Sequence, residues 1–379
     1  MHRLGKQAII EVIIIKDSTH TITFTNTYRL EIKMTNNRRR FLQKVAATSA
    51  ASAGVLAVPK IANAQEVVKW KMQALWDGGT TPLKFEEMYV KRVAELTDNK
   101  FEIQLYSAGQ LVPANQAFDA VRGGAFQMMK TFDGYEAGKI PSLAFTSSVP
   151  FGFPEPDQYE AWFYEKGGLD FARKAYGPAG LFYIAPSVYG PEPIHSNVPI
   201  KTIHDFKNKK GRFVGLASTV MGKLGVSVTT LATNEVYSGL DKGVIDLADR
   251  GDLTANLDAG LGEVAKYIIM PGPHQPTTST SYVANKAAYD RLPEHFKAAL
   301  AVAAREVSSA MRQHYLVADT QALQAFKKQN VEISALPADE IEKGRALAQE
   351  AWKEATKDDA LATEIYESQV QFMKDLGLL

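Results

Sequence analysis

Val67-Val68-Lys69-Trp70-Lys71-Met72-Gln73-Ala74-Leu75, followed by Trp76-Asp77-Gly78-Gly79, decides how this 379-residue chain is read. Val68, Trp70, Met72 and Ala74 alternate with polar or long neighbours, the period of a strand with one covered face. The stretch ends at the two glycines. Thr80 or Thr81 then caps a helix with Pro82 in its first turn, and Phe85, Met88, Tyr89, Val93 and Leu96 form an apolar face at helical spacing. The break Thr97-Asp98-Asn99-Lys100 leads to a second alternating strand through Phe101, Ile103 and Leu105. Strand, helix, strand is the opening of an α/β sheet flanked by helices.

The alternation continues. The pattern predicts a helix around Asn115–Arg122, a strand through Phe126–Met129, a run punctuated by Gly and Pro from Gly134 to Pro156, one helix from Asp157 to Tyr176 and a strand from Leu181 to Ala185. Farther on, Arg212–Val214, Val226–Thr229 and Val244–Leu247 read as strands, with helices at Ser218–Leu224 and Asn234–Leu240. The character changes at Pro293. From there to Gln329 the chain has no internal Pro or Gly, and Phe296, Leu300, Val307, Met311, Tyr315 and Phe326 recur at helical spacing. One very long helix, or two nearly continuous ones, is expected. A strand at Val331–Ile333 and two amphipathic helices from Ala338 onward complete the pattern.

Composition bounds the function. An apolar share of 45% and a charged share of 22% are ordinary for a globular chain and leave room for about two domains. Lys plus Arg number 43 against 42 acidic residues, so there is no electrostatic footprint for nucleic acid or an anionic membrane. With no cysteine, disulfides, thiolate metal sites and cysteine nucleophiles are excluded.

The compartment is read at the N-terminus. Asn37-Arg38-Arg39-Arg40-Phe41-Leu42 precedes a weakly apolar Ala/Ser-rich run, Val45–Val58, and then Ala62-Asn63-Ala64, a small-residue cleavage site. Paired arginines in that order mark a Tat-type signal, and the apolar run is too short for a membrane anchor. The mature protein is expected to begin near Gln65 and to be periplasmic. Residues 1–33, with the run Ile9-Ile10-Glu11-Val12-Ile13-Ile14-Ile15, read as a gene-model extension upstream of a start at Met34, and 34–64 as the signal.

No catalytic pattern stands out: G-x-S-x-G, H-E-x-x-H, the phosphate-binding G-x-x-x-x-G-K-[ST] and G-x-G-x-x-G after a strand are all missing. No catalytic residue is assigned, and a binding role is expected over an enzyme. Four features suit ligand contact. Trp76 ends the first strand beside two glycines, where a ring can wall a cleft or join the core. Tyr135, in Asp133-Gly134-Tyr135-Glu136, is either a hydroxyl donor to a carboxylate or a surface aromatic. Arg212, near the start of Gly211–Gly225, carries a permanent charge into an apolar stretch. Its planar fork suits a small carboxylate, and a structural salt bridge to an acid on the next strand suits it equally. Asp249-Arg250-Gly251-Asp252 follows a strand, where α/β ligand crevices lie, and a solvated turn is the alternative.

From Gln65 to the end the chain resembles the DctP-type solute-binding proteins of tripartite ATP-independent periplasmic (TRAP) transporters. The resemblance rests on Trp70-Lys71-Met72-Gln73-Ala74 with Trp76, Ser107-Ala108-Gly109-Gln110-Leu111-Val112-Pro113, Gly134-Tyr135-Glu136-Ala137-Gly138-Lys139, Pro199-Ile200-Lys201-Thr202 leading to Arg212, Gly243-Val244-Ile245-Asp246, and His274-Gln275, in that order. It implies a two-lobed periplasmic binding protein fold closing on its ligand, with a long helix spanning both lobes. Residues 65–188, with part of 275–315, would form one lobe, and 189–274, with part of 316–379, the other. It further implies that Arg212 clamps a ligand carboxylate, and the pieces around Trp76, Tyr135, His274 and Gln275 look most like the branch that binds 2-oxo or 2-hydroxy acids, sometimes through a bound cation. Here the chain departs from the pattern. Asp249-Arg250 stands where that branch has glutamate and a bulky aromatic, and its glutamine ligand has no clear counterpart in Ser187–Pro193. No metal ligand is therefore assigned, and a bound Na or Ca is not favoured. Arg250 is expected to replace the cation, touching the ligand or pairing with Asp249 or Asp252. The implied partners are a small carboxylate, the small and large TRAP membrane subunits of a sodium-driven permease and a possible second copy of the chain, with no nucleic acid. A Tat-exported periplasmic enzyme and a binding protein that serves a sensor are the alternatives.

Overall fold

The computed structural model describes residues 67–229, 231 and 233–379. The expected extension and signal, 1–33 and 34–64, lie outside them. Two sheets organise the described chain. The first has the order β2-β1-β3-β10-β4 and is built from β1 (Val68–Gln73), β2 (Phe101–Tyr106), β3 (Met128–Thr131), β4 (Leu181–Tyr189) and β10 (Thr278–Asn285). The second runs β11-β9-β5-β8-β6-β7, from β5 (Ile194–Ser196), β6 (Lys210–Arg212), β7 (Ser227–Thr229), β8 (Leu247–Ala248), β9 (Tyr267–Ile269) and β11 (Glu332–Ser334). Each sheet with its flanking helices is one lobe. The chain passes between them through 190–193, through 270–277, along one long helix and again through 356–359.

The opening stretch folds as its alternation requires. Trp70 and Met72 are buried while Lys69 and Lys71 face out, and β1 pairs in parallel with β2 and β3 around the helix Thr81–Leu96. Phe101 lies edge-on to Trp70 at 5.0 Å and stacks on Phe296 at 5.4 Å. Each such fully buried apolar side chain contributes about 1.5–3 kcal/mol.

The segment from Glu294 to Lys328 is one continuous helix of 35 residues, the first of the two forms the sequence allowed. Its N-terminal half (Phe296, Leu300, Ala303, Ala304, Val307) belongs to the first lobe's core, and Ala322 and Phe326 belong to a cluster with Ile268 of β9 in the second. Met311 and Tyr315, between them, pack on Tyr189 where β4 ends. Helix Ala338–Ala355 then packs on Leu216–Lys223 of the second lobe, and helix Ala360–Asp375 on the short helix Ala144–Ser147 and on Gly168–Tyr176 of the first. Trp162 donates its indole N–H to Ser368 at 3.1 Å, which fixes that last docking.

Several elements differ from the sequence expectation. The single helix expected over 157–176 is two, Pro156–Glu165 and Gly168–Tyr176, because Gly167 turns the chain with φ of 85°. The third strand lies two residues later than expected, at Met128–Thr131. The strand expected at Val244–Leu247 shortens to Leu247–Ala248, and Val244 is exposed. Strands β5, β9 and β10 were not anticipated. β10 is sandwiched between β3 and β4 with nearly every residue buried, so Thr278-Ser279-Thr280-Ser281 shows no alternation to read.

Candidate functional site

A small cleft lies between the lobes. Trp76, Asp77, Phe132 and Tyr135 line it from the first lobe, Arg212, Val214, Asp249 and Arg250 from the second, and Tyr189, Glu192 and Gln275 from where the chain crosses.

Strand register builds the charged wall. β6 and β8 run parallel with Arg212 opposite Ala248, so Asp249, one residue on, emerges beside the guanidinium. The Asp249 backbone N–H extends the ladder to the Arg212 carbonyl at 3.2 Å. Arg212 Nη1 donates to Asp249 Oδ1 at 2.6 Å and to the Asp249 carbonyl at 3.1 Å, and Nε donates to the Leu231 carbonyl at 3.2 Å. Its Nη2 makes no hydrogen bond among the described residues. Burial opposes the charge on Arg212, yet Asp249 and then the Tyr135 phenol outweigh it and hold the group above its usual range.

The second Asp249 oxygen accepts from Gln275 Nε2 at 2.7 Å, and His274 Nε2 lies 3.7 Å from it. Burial pushes the His274 imidazole down to about 4, so it is neutral at physiological pH. The two crossing segments are tied to each other: Glu192 N–H donates to the Gln275 carbonyl and Gly272 N–H to the Glu192 carbonyl, both at 3.0 Å. The Glu192 carboxyl accepts from the Tyr189 hydroxyl at 2.6 Å, and burial, reinforced by Asp249, pushes it up to about 8.

The aromatic wall rests on a buried polar group. Trp76 Nε1 and Tyr282 Oη point toward the Glu86 carboxylate behind them without closing well-formed hydrogen bonds. Glu86 is itself raised by burial, which the ammonium of Lys130, 3.7 Å away, only partly offsets. Tyr135 sits on a short turn, Asp133–Glu136, with its ring edge-on to Phe132 at 5.3 Å.

Of the residues singled out in the sequence, Trp76, Tyr135, Arg212, Asp249, Arg250 and Gln275 come together on one cleft. His274 does not line it; the imidazole is fully buried behind Asp249, edge-on to Phe213. The two readings of Arg212 coexist, since it bridges to the acid of the next strand and still faces the cleft. Arg250 lines the cleft, as contact with a ligand requires, and of its expected forms the pairing with an acid of its own loop is not met. It pairs with neither Asp249 nor Asp252; its ion-pair partner among the described residues is Asp77 of the first lobe, at 3.5 Å.

Glu192 and Asp77 were missed as site residues. Asp77 stood in the opening stretch as the end of a strand, and Glu192 has only the flanking prolines Pro191 and Pro193 to set it apart. Ligating atoms of Glu192, Asp249 and His274 lie within 4.8 Å of one another. The two carboxylates suit an oxygen-seeking cation, and Glu192, driven toward its neutral form by burial and then by Asp249, is the group a cation would relieve. The imidazole is a poor ligand for such an ion.

With the geometry in hand, the known relatives can be placed. Residues 74–359 match the DctP family, bacterial extracellular solute-binding protein family 7. The monocarboxylate 2-oxoacid-binding periplasmic protein of Nostoc sp. is 31% identical over 310 residues, 82% of this chain and 85% of that protein. A TRAP transporter solute-binding protein of Bordetella bronchiseptica, a mixed-occupancy dimer with calcium and picolinate in one site, superposes with a TM-score of 0.76 at 27% identity over 82% of this chain and 93% of its own. A TRAP periplasmic solute-binding protein of Pseudoalteromonas atlantica, with sodium and pyruvate bound, gives 0.75 at 26% over 82% and 95%. The chain belongs to the DctP family of solute-binding proteins, and its two lobes with a shared long helix are that family's fold.

Proposed function

We propose that this family member captures a small organic acid anion, a 2-oxo or 2-hydroxy carboxylate, in the periplasm and presents it to a sodium-driven TRAP permease of one small and one large membrane subunit. The observation that carries the reading is Arg212. Its charge is already matched by Asp249, Nε and Nη1 are held by the protein, and Nη2, without a hydrogen bond among the described residues, remains for a ligand in the cleft that Arg212 lines. A preorganised guanidinium of this kind binds a carboxylate without first having to be ordered. Trp76 and Tyr135 would wall and orient the acid, with Gln275 holding Asp249 in place. No step makes or breaks a bond. A ligand touching both lobes favours the closed state by the contacts it makes only there.

Pyruvate and 2-oxoacids in the names of relatives support that ligand class. Calcium bound with picolinate in one solved relative and sodium bound with pyruvate in another support a cation here as well. Glu192 and Asp249 would hold it, and it would supply positive charge to the ligand's oxygens. Export through the Tat pathway on residues 34–64 belongs to the same proposal, and N-terminal sequencing of the periplasmic protein should begin at Gln65.

A thermal-shift panel of mono- and dicarboxylates on the mature chain, with and without Na and Ca, tests the function. A ligand at a hundred times its Kd stabilises by about 2.7 kcal/mol, a shift of several degrees. The proposal expects 2-oxo or 2-hydroxy monocarboxylates to give it, and a panel in which no acid shifts the transition under either condition contradicts it.

A further inference from the structure

Two guanidinium groups line one small cleft, and each has an aspartate, but the two pairs are unlike. Arg212 and Asp249 meet at 2.6 Å with side chains 4% and 0% exposed, within one lobe. Arg250 and Asp77 meet at 3.5 Å across the cleft, with Arg250 12% and Asp77 50% exposed. Among the described residues Arg250 is otherwise held by one donor bond, from Nη1 to the Ala255 carbonyl at 3.2 Å. Its charge is largely desolvated and is answered first by Asp77 and then by Asp252. Two such cations facing one space would suit an acid with a carboxylate at each end. Asp77 stands where the second carboxylate would have to go, as an anion of the chain itself.

We propose that Asp77 is a specificity-determining residue: by occupying Arg250 across the cleft, it makes the site select short monocarboxylates and reject acids with a second carboxylate. The inference rests on the functional reading above and names its ligand class more narrowly. A dicarboxylate must either displace Asp77 into solvent, losing the bridge between the lobes, or place its own charge beside it. Like charges side by side oppose binding, and displacing Asp77 takes its partner from an Arg250 charge that is mostly out of water. A monocarboxylate whose far end is a methyl or hydroxyl group leaves the bridge intact. Discrimination thus comes from an element that repels the wrong ligand.

Calorimetric titrations of the mature wild type, Asp77→Asn and Arg250→Gln test this with stable probes: pyruvate and lactate against malate and 2-oxoglutarate, at one ionic strength. Lactate and malate differ by a single carboxylate. The wild type is expected to prefer the monocarboxylates, and Asp77→Asn to move the lactate-to-malate affinity ratio toward malate by about tenfold, equivalent to about 1.4 kcal/mol. Arg250→Gln should not show that gain for malate. Asp77→Ser serves as a second variant if the asparagine protein does not fold. A wild type that takes malate as readily as lactate overturns the proposal, as does an unchanged ratio in both Asp77 variants. If the wild type binds monocarboxylates and the ratio stays fixed, only this inference falls; if it binds no acid under any condition, the functional reading falls with it.

Discussion

Each lobe buries an ion pair, and the two are built differently. In the first lobe Lys130 and Glu86 are 0% and 1% exposed and 3.7 Å apart, with the ammonium 3.6 Å above the Tyr282 ring and neither group closing a well-formed hydrogen bond. In the second, Arg212 and Asp249 touch at 2.6 Å, and backbone carbonyls and Gln275 satisfy most of what remains. Burying charge costs several kcal/mol per ion, and only good geometry with added hydrogen bonds offsets it. The second pair meets that condition and faces the cleft. The first sits behind Trp76, and burial lowers Lys130 to about 8, so its charge is held weakly. The contrast separates a group held ready for a ligand from one that supports a wall.

The sharpest way to break that contrast is Lys130→Met. It leaves Glu86 buried without a cation, and the account expects a loss of about 3 kcal/mol in urea unfolding, the low end for a broken buried pair because Glu86 can take up a proton. Glu86→Gln combined with Lys130→Met should recover most of the loss. In both proteins acid affinity should change far less than stability. A large loss of affinity in the double variant would place the first pair in the binding site.

Next is Gly215→Ala. Gly215 has φ of 57°, and an added Cβ would lie 3.1 Å from Gly134 Cα across the cleft. Strain of about 1–2 kcal/mol is expected. Because part of it is paid only when the lobes meet, acid affinity should fall along with stability, and small-angle scattering with saturating ligand should show a more open molecule than wild type.

Arg212→Lys is milder. The charge stays and the fork is lost, so affinity for the acid should drop by about tenfold with Asp249 still partnered. The smallest effect is in pH dependence. Burial, then Asp319, raises Asp252 from 3.8 to about 7, while its Oδ1 caps the helix Leu253–Asp258 by accepting from Ala255 N–H at 2.9 Å. A carboxyl whose folded pKa lies above its unfolded value binds more proton when folded, so its contribution is largest at low pH and falls as pH rises from about 4 to about 7. Asp252→Asn keeps the cap and removes that fall. Its melting temperature should therefore gain on wild type steadily across the window, and a constant offset would contradict the assignment.

Much of the fold is legible in the sequence because its elements carry one exposed face. Val68, Trp70 and Met72 alternate on β1, and the face from Phe296 to Phe326 repeats at helical spacing along the long helix. What stays hidden is buried on both sides or very short. β10 has hydroxyl residues where alternation would show, and β5 and β9 have three residues each. The site follows the same logic. Trp76, Tyr135, Arg212 and Asp249-Arg250 each stand out beside a glycine or a strand end. Among the described residues Glu192 joins them through the Tyr189 hydroxyl and the backbone bonds between the crossing segments, which no spacing records. Asp77 sat in plain view, but its partner lies 173 residues away in the other lobe.

Arg212, with Nε and Nη1 held by the protein and Nη2 unbonded among the described residues, is the group on which ligand capture depends. The most direct test is titration of the mature chain and of Arg212→Ala, side by side, with the monocarboxylate that most stabilises the wild type. The account predicts one site per chain in the wild type and a loss of at least about a hundredfold in the variant, whose circular dichroism should confirm that it is folded. A folded Arg212→Ala protein that binds the same acid with wild-type affinity would contradict it.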